Sequence, residues 1–452
     1  MLHSNGNEMV FTIGQVSGIE LGIIGYLVIA LVLVLIIGKI TYVIPTLIIV
    51  PVLGAILAGF GPADLGEFAG EGLAGIVEIT AMFAFAVWYF AIMRDYGLFD
   101  PLVHRVVDTV LQRPAMLTIG TVVLAAVTHL DGAGATTMLI TIPALLPLYI
   151  ALDVDTKILA ALVALSAGTM NLVPWGGVTV RGISAIDTAT VGNIYTPLIP
   201  SQIAGFVTII LIAYYFSRRV DRTIDLTASE KEALVEDAVG GEIAAVNRMW
   251  GINLVLTLLI VAILMADITS PAIVFMVGLV IALLLNVRDY DDQREILEEY
   301  APDVMTYVGI LFAAGILLGV LNESGMITEM ATILLMIIPE SLGRFIPVIV
   351  GIIAAPASLV FSPDAYYFGV LPVLAETAAA FGLEEEAVVR ASLIGQHTVG
   401  FPISPLTGAT YLLIGLAEVD LGEHIKFTFL WAWLVSLVML AVAILTGAVP
   451  LL

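Results

Sequence analysis

The chain of 452 residues is 60% hydrophobic and 12% charged, with a mean hydropathy of +1.09, whereas soluble domains run at roughly 45–50% apolar and about 25% charged. It therefore reads as a polytopic membrane protein, and 39 acidic against 16 basic residues, a net charge of −23, argue against any nucleic-acid role. Zero cysteines remove disulfides, thiolate-zinc sites and thiol catalysis. Much of the acidic excess sits in hydrophilic loops such as 289–299 and Glu384-Glu385-Glu386, a solvated surface suited to high salt, where like charges are screened.

The first 20 residues lack a basic start before an apolar core, so no cleavable signal is expected. Apolar runs of spanning length follow at about 21–37, 44–60, 76–93, 158–173 and 199–215. Residues 98–112 mix Asp100, His104, Arg105 and Asp108 with apolar residues at helical spacing, which suits an interfacial amphipathic helix. Between it and the fourth run lies a polar island, Thr128-His129-Leu130-Asp131-Gly132-Ala133-Gly134-Ala135-Thr136-Thr137. Its apolar flanks are each short of the roughly 20 residues a spanning helix needs, so the stretch reads as a re-entrant hairpin. A carboxylate, two hydroxyls and freed backbone at membrane depth are tolerated where protein or a water-filled cavity satisfies them, which is the description of a substrate or ion site. The bland alternative is a surface loop with a solvated Asp131.

The fourth run breaks at Asn171-Leu172-Val173-Pro174-Trp175-Gly176-Gly177-Val178-Thr179-Val180-Arg181. Proline and paired glycines unwind a span, and the freed amides and carbonyls, with Asn171 and Thr179, can coordinate an ion or a carboxylate. Arg181 fits two roles, bidentate partner of an organic acid or interfacial anchor. Residues 217–248 are the one extended hydrophilic stretch and read as a cytoplasmic linker.

Beyond it the plan recurs: spans, an interfacial segment near 326–338, a second hairpin around Ser362-Pro363-Asp364, a second break and a last span. Gly97 and Gly325, Pro174 and Pro402, and Thr179 and Thr407 each lie 228 residues apart, and Pro143 and Pro372 lie 229 apart. About five crossings per half is an odd number, so the second copy enters the membrane upside down. The expected fold is an all-α polytopic membrane protein of two inverted repeats, 1–216 and 249–452, each with about five transmembrane helices and a re-entrant hairpin. In that arrangement all the basic residues apart from Arg181, Arg344 and Arg390 fall on one side, which the positive-inside rule makes cytoplasmic, with both termini outside. The second break offers Gln396, Ser404 and Thr407 as neutral donors and acceptors. His397 is a candidate for a proton, a metal or substrate, or a hydrogen-bonded structural residue; His129 reads as structural.

LDGAGATT, MNLVPWGGVTVR, SPDAYYFGVLPVLAET and IGQHTVGFPISPLTGATYLLIG resemble the citrate–metal:proton symporters (CitMHS), and the likeness extends over essentially the whole chain. The resemblance implies opposed hairpins, interrupted helices and proton-driven uptake of a tricarboxylate complexed with Mg²⁺ or Ca²⁺. It leads us to expect one site between the hairpin tips near mid-membrane. Thr136, Thr137, Asn171, Gly176, Gly177, Thr179, Arg181, Gln396, Ser404 and Thr407 would hold substrate. Asp131 and Asp364 would meet the metal, and Asp131, Asp364 or His397 the coupling proton; Trp175, Tyr366 and Tyr367 would pack the walls. No resident cofactor is expected. The partners are a small organic acid anion, a divalent cation and the lipid bilayer, in the cell membrane; H⁺ against Na⁺ coupling and a homodimer are left open. Competing readings are a carrier for another di- or tricarboxylate or a gluconate-like anion, an inorganic-ion antiporter, and an intramembrane aspartyl protease built on Asp131 and Asp364, whose flanking motifs disagree.

Overall fold

The computed structural model describes residues 16–132, 134–218, 249–266 and 268–451, and no strand occurs among them. Nearly all of the expected linker, 219–248, lies outside the described residues. Among the described residues, seven helices are long and apolar enough to cross a membrane: Ile19–Ile37, Pro62–Asp95, Pro114–Asp131, Gly134–Ala151, Val191–Ser217, Val304–Glu323 and Leu421–Leu445. Shorter apolar helices complete the array. Large apolar side chains face outward one turn apart, as at Ile19, Ile23, Leu27 and Leu31, each about half exposed or more. Such a stripe is unfavourable in water and matches lipid.

The helix bounds repeat with the spacing read from the sequence. Pro62–Asp95 and Tyr290–Glu323 are both 34 residues long and 228 apart at each end. The second hairpin arm Gly134–Ala151 recurs 229 residues on as the run from Pro363 to Ala380, there divided by a π-helical turn at Tyr366–Val370. The amphipathic segments are the helices Asp100–Gln112 and Met326–Ile337.

Length does not define the first hairpin, and the expectation of two short flanks fails, since both arms, Pro114–Asp131 and Gly134–Ala151, are long and apolar enough to span. Packing does. The arms Leu117–Thr128 and Gly134–Ala151 are stitched together by Thr121 to Tyr149 (2.9 Å), Thr128 to Thr141 (3.0 Å) and His129 Nδ1 to Thr137 (2.7 Å). These cross-bonds satisfy hydroxyls that hydrocarbon would leave bare. Gly132, at φ +71, supplies the left-handed residue that turns the chain.

The two halves interleave. The long helices cross antiparallel: Gly72 meets Gly315 and Gly319, Phe83 meets Tyr307, and the Trp88 indole donates to the Leu297 carbonyl (3.1 Å). A Cβ at Gly72 would collide with the Gly315 carbonyl, so small residues set this close approach, as in other membrane helix pairs. Ile19–Ile37 packs on Met326–Ile337 of the other half, and Ile199–Ser217 packs on Leu421–Leu445.

Candidate functional site

Both interrupted helices lose their helical bonding in the interior. The first runs Thr156–Met170, breaks at 171–176 and resumes as Gly177–Ser184. The second runs Glu385–Leu393, breaks at 394–407 and resumes as Gly408–Ala417. The second break is the longer one, so Thr179 stands inside its helix whereas Thr407 stands at the start of its own. The two threonines still do the same work. Thr179 donates to the Leu172 carbonyl (3.1 Å) and Thr407 to the Phe401 carbonyl (3.0 Å), each bonding a main-chain oxygen of its own break; the Phe401 oxygen also accepts from the Ser404 amide and Thr410.

The breaks touch each other. Asn171 Nδ2 donates to the His397 carbonyl at 2.9 Å, a buried bond between residues 226 positions apart. His397 holds φ +51, a left-handed conformation unusual for a side-chain-bearing residue, and its amide donates to Ser358 Oγ (2.9 Å). Its imidazole is fully buried, with neither ring nitrogen hydrogen-bonded. Ser358 also donates to Gln396 Oε1 (2.9 Å), and the Tyr367 hydroxyl donates to the Gln396 carbonyl (2.8 Å). Ser404 Oγ accepts from the Leu406 amide (3.2 Å).

Each hairpin tip closes on these breaks. At the first, the Trp175 indole donates to the Leu130 carbonyl (2.7 Å), Gly132 abuts Gly176, and Gly134 abuts Phe401 and Ala409 of the other half. Trp175 also stacks on Phe90. At the second, Arg181 Nε donates to Asp364 Oδ1 at 2.6 Å while Nη1 donates to the Gly177 carbonyl (2.8 Å). Arg181 is 8% exposed and Asp364 9%, so Arg181 is no interfacial anchor; it is a buried cation held by a buried carboxylate. The Tyr366 hydroxyl bonds to Ser392 (2.9 Å).

Among the sequence candidates, then, two bonded sets form at the breaks: Asn171, Gln396 and His397 join through Ser358, and Gly177, Arg181 and Asp364 join through the guanidinium. Thr136 and Thr137 lie on the first hairpin, and both are engaged: Thr137 by His129, and Thr136 by Arg94 Nη1 at 2.9 Å. Arg94 is a residue the sequence reading missed, having counted it only as a topological charge; it also lies within electrostatic reach of Asp131. Ser358 was missed too, although it stands 229 residues after His129, and the repeat spacing pointed to it. No three acidic or imidazole side chains converge as a metal-binding set among the described residues. A cation at this site would draw most of its ligands from whatever accompanies it.

A cavity of about 310 Å³ opens at the far end of the helix that carries Arg181, lined by Met82, Ile183, Ser184, Glu78, Asp187 and Thr190 among others but by neither member of the pair, and Ser184 Oγ donates to the Arg181 carbonyl (3.1 Å). A neighbouring space of about 190 Å³ shares Gly75, Ile76, Ser184 and Asp187 with it and adds Glu71, Asn322 and Glu323.

Interleaved lipid-facing helices around two unwound, polar, mutually bonded breaks define a polytopic transporter. The family model described as "Citrate transporter" (CitMHS) matches residues 9–395, and the chain belongs to that family. Its relatives include a citrate transporter of Bacillus subtilis, 37% identical over 87% of this chain and 91% of that one. Another is a Mg²⁺/citrate complex secondary transporter of the same organism, 35% identical over 95% and 99%. Among solved structures, the YdaH transporter of Alcanivorax borkumensis, whose crystal structure was described as having an unusual topology, aligns with a TM-score of 0.52 at 15% identity, covering 84% of this chain and 86% of its own. That likeness concerns the fold alone. Family membership sets aside the protease reading: this is a transporter, not an enzyme.

Proposed function

We propose that this protein is a secondary transporter that imports citrate, or a close organic acid, as its complex with a divalent cation, coupled to protons, across the cell membrane. The observation that carries the proposal is the buried Arg181–Asp364 pair beside the crossing of the two breaks. It puts one guanidinium suited to a carboxylate and one carboxylate suited to a cation at a single place. Asn171, Gln396 and the non-helical backbone of Gly176 and 394–407, with Gly177 at the restart of its helix, supply neutral contacts around it, with Ser404, Thr407, Thr136 and Thr137 at the periphery. Asp131, Asp364 and His397 are the proton candidates. The name of the Mg²⁺/citrate relative supports the substrate.

The halves act as inverted repeats, with the termini outside and the linker in the cytoplasm. In support, residues assigned to one side meet one another: Lys157 pairs with Glu423 (3.3 Å) and Trp250 with the Leu98 carbonyl (3.0 Å) on the cytoplasmic side. Arg390 reaches Glu384 and the Asn193 carbonyl on the outer side. The test is uptake into proteoliposomes from a panel of organic acids, with and without Mg²⁺, Ca²⁺ and Zn²⁺, under separately imposed proton and sodium gradients. Metal-dependent citrate accumulation driven by an acidic exterior is expected. No citrate uptake under any metal and gradient overturns the proposal.

A further inference from the structure

The Arg181–Asp364 pair has features that a purely structural ion pair does not need. The guanidinium reaches Asp364 through Nε alone, and its other bond is Nη1 to the Gly177 carbonyl, so Asp364 is held by one prong and a two-pronged grip on a carboxylate requires Asp364 or the Gly177 carbonyl to yield its donor. Asp364 stands on the short stretch Pro363–Ala365, between the Ser362 cap and the π-helical turn Tyr366–Val370, where the bonding pattern of the helix changes. The fold also carries its own control. The repeat spacing of 229 puts Ala135 where Asp364 stands, and at the corresponding crossing the first hairpin tip meets the second interrupted helix as Gly134 against Phe401 and Ala409. Ala409 likewise stands 228 residues after Arg181, so the repeat plan places no ion pair at the equivalent positions of this crossing.

We propose that this pair is exchanged for substrate on loading and thereby selects the metal complex over the free anion, an inference that rests on the substrate reading above. The incoming acid presents a carboxylate to Arg181 and displaces Asp364. A bare anion would leave Asp364 buried and unpaired, which is strongly unfavourable in a low-dielectric interior. A metal-bound anion supplies the replacement partner, because its cation has open positions for a hard oxygen and Asp364 fills one. One ionic contact is broken and two are made, so neither Arg181 nor Asp364 is left without a partner of opposite charge.

The two cavities favour the same substrate form. Glu71, Glu78, Asp187 and Glu323 line them, and Ser184 joins them to the backbone of Arg181. A wall of carboxylates repels free citrate and tolerates the complex, whose cation offsets part of its charge.

The experiment compares binding of citrate to purified full-length protein, with excess Mg²⁺ or with EDTA, for the wild type, Asp364→Asn, Asp364→Glu and Arg181→Gln. The wild type should prefer the Mg²⁺ complex by about tenfold or more. Asp364→Asn should bring the two forms within about threefold by accepting free citrate, Asp364→Glu should restore the preference, and Arg181→Gln should weaken both forms. If Asp364→Asn or Arg181→Gln does not fold, the double variant Arg181→Gln/Asp364→Asn removes both buried charges together and should show no preference. An undiminished preference for the Mg²⁺ complex in Asp364→Asn, or in the double variant, overturns the exchange. Wild-type protein that binds citrate in neither form overturns the substrate reading instead.

Discussion

Arg94 closes on Thr136: the guanidinium at the end of the first long helix donates through Nη1 to the hydroxyl of the first hairpin, 2.9 Å away, while its plane lies over the ring of Tyr300. Tyr300 in turn donates to Asp95 at 2.7 Å. One cluster thus joins both long helices to the hairpin tip. If the hairpin opens toward the cytoplasm during transport, this contact must break and re-form. Arg94→Gln should lower the maximal uptake rate several-fold with a smaller effect on KM, and should increase the reactivity of a cysteine placed at Gly134 in this cysteine-free chain. Unchanged rate and reactivity would make the contact incidental.

The threonines of the breaks work mainly for the fold. Thr179→Ala uncovers the Leu172 carbonyl and Thr407→Ala removes one donor from the Phe401 carbonyl, and each should cost about 0.5–1.5 kcal/mol of stability, read as a lower Tm in detergent. The same variants raise KM several-fold if their oxygens also face substrate. A change in Tm with constant KM assigns them to the break alone.

The glycine crossing is a steric prediction. Gly72→Val places a branched side chain against the Gly315 carbonyl and the Gly319 backbone, where the obstacle is main chain and cannot turn aside. The cost should be about 1–3 kcal/mol or more, seen as poor folded yield. Gly66→Ala, with open space around its Cβ, should be neutral or slightly stabilising in the same helix.

Sidedness has its own test. Single cysteines at Gly134 and Ser362 sit at the two hairpin tips, and membrane-impermeant reagent should reach them from opposite sides of the membrane. Labelling of both from the same side in every condition would rule out the inverted arrangement.

Asp131 provides the coupling test. Asp131→Asn should keep exchange of internal for external citrate but lose accumulation driven by a proton gradient. Full accumulation with wild-type pH dependence in this variant would pass the role to His397, whose ring nitrogens make no hydrogen bond in the described structure.

Much of the architecture was legible because it is periodic. Apolar runs, the polar islands and the 228-residue spacing each rest on residues near one another or on a simple repeat, and the helix bounds Pro62–Asp95 and Tyr290–Glu323 follow that spacing. What could not be read is what long-range packing decides. Arg181 allowed two roles in the sequence because Asp364, its partner, is 183 residues away. Arg94 looked like a loop charge because Thr136 and Tyr300 come from other elements. Gly315 and Gly319 looked like ordinary residues of an apolar span and Gly72 lay ahead of the run that starts at 76, since their meaning lies in a crossing that neither helix contains alone.

The bond from Asn171 to the His397 carbonyl, together with the packing of Ile19–Ile37 on Met326–Ile337, means that the functional centre is not the property of either half of the gene. A fragment ending before the linker would carry an uncovered Asn171, half of an ion pair and a bare helix face. Cutting the chain between 219 and 248 should therefore give two pieces that are unstable when made separately and regain uptake when made together, each acting as the folding template of the other.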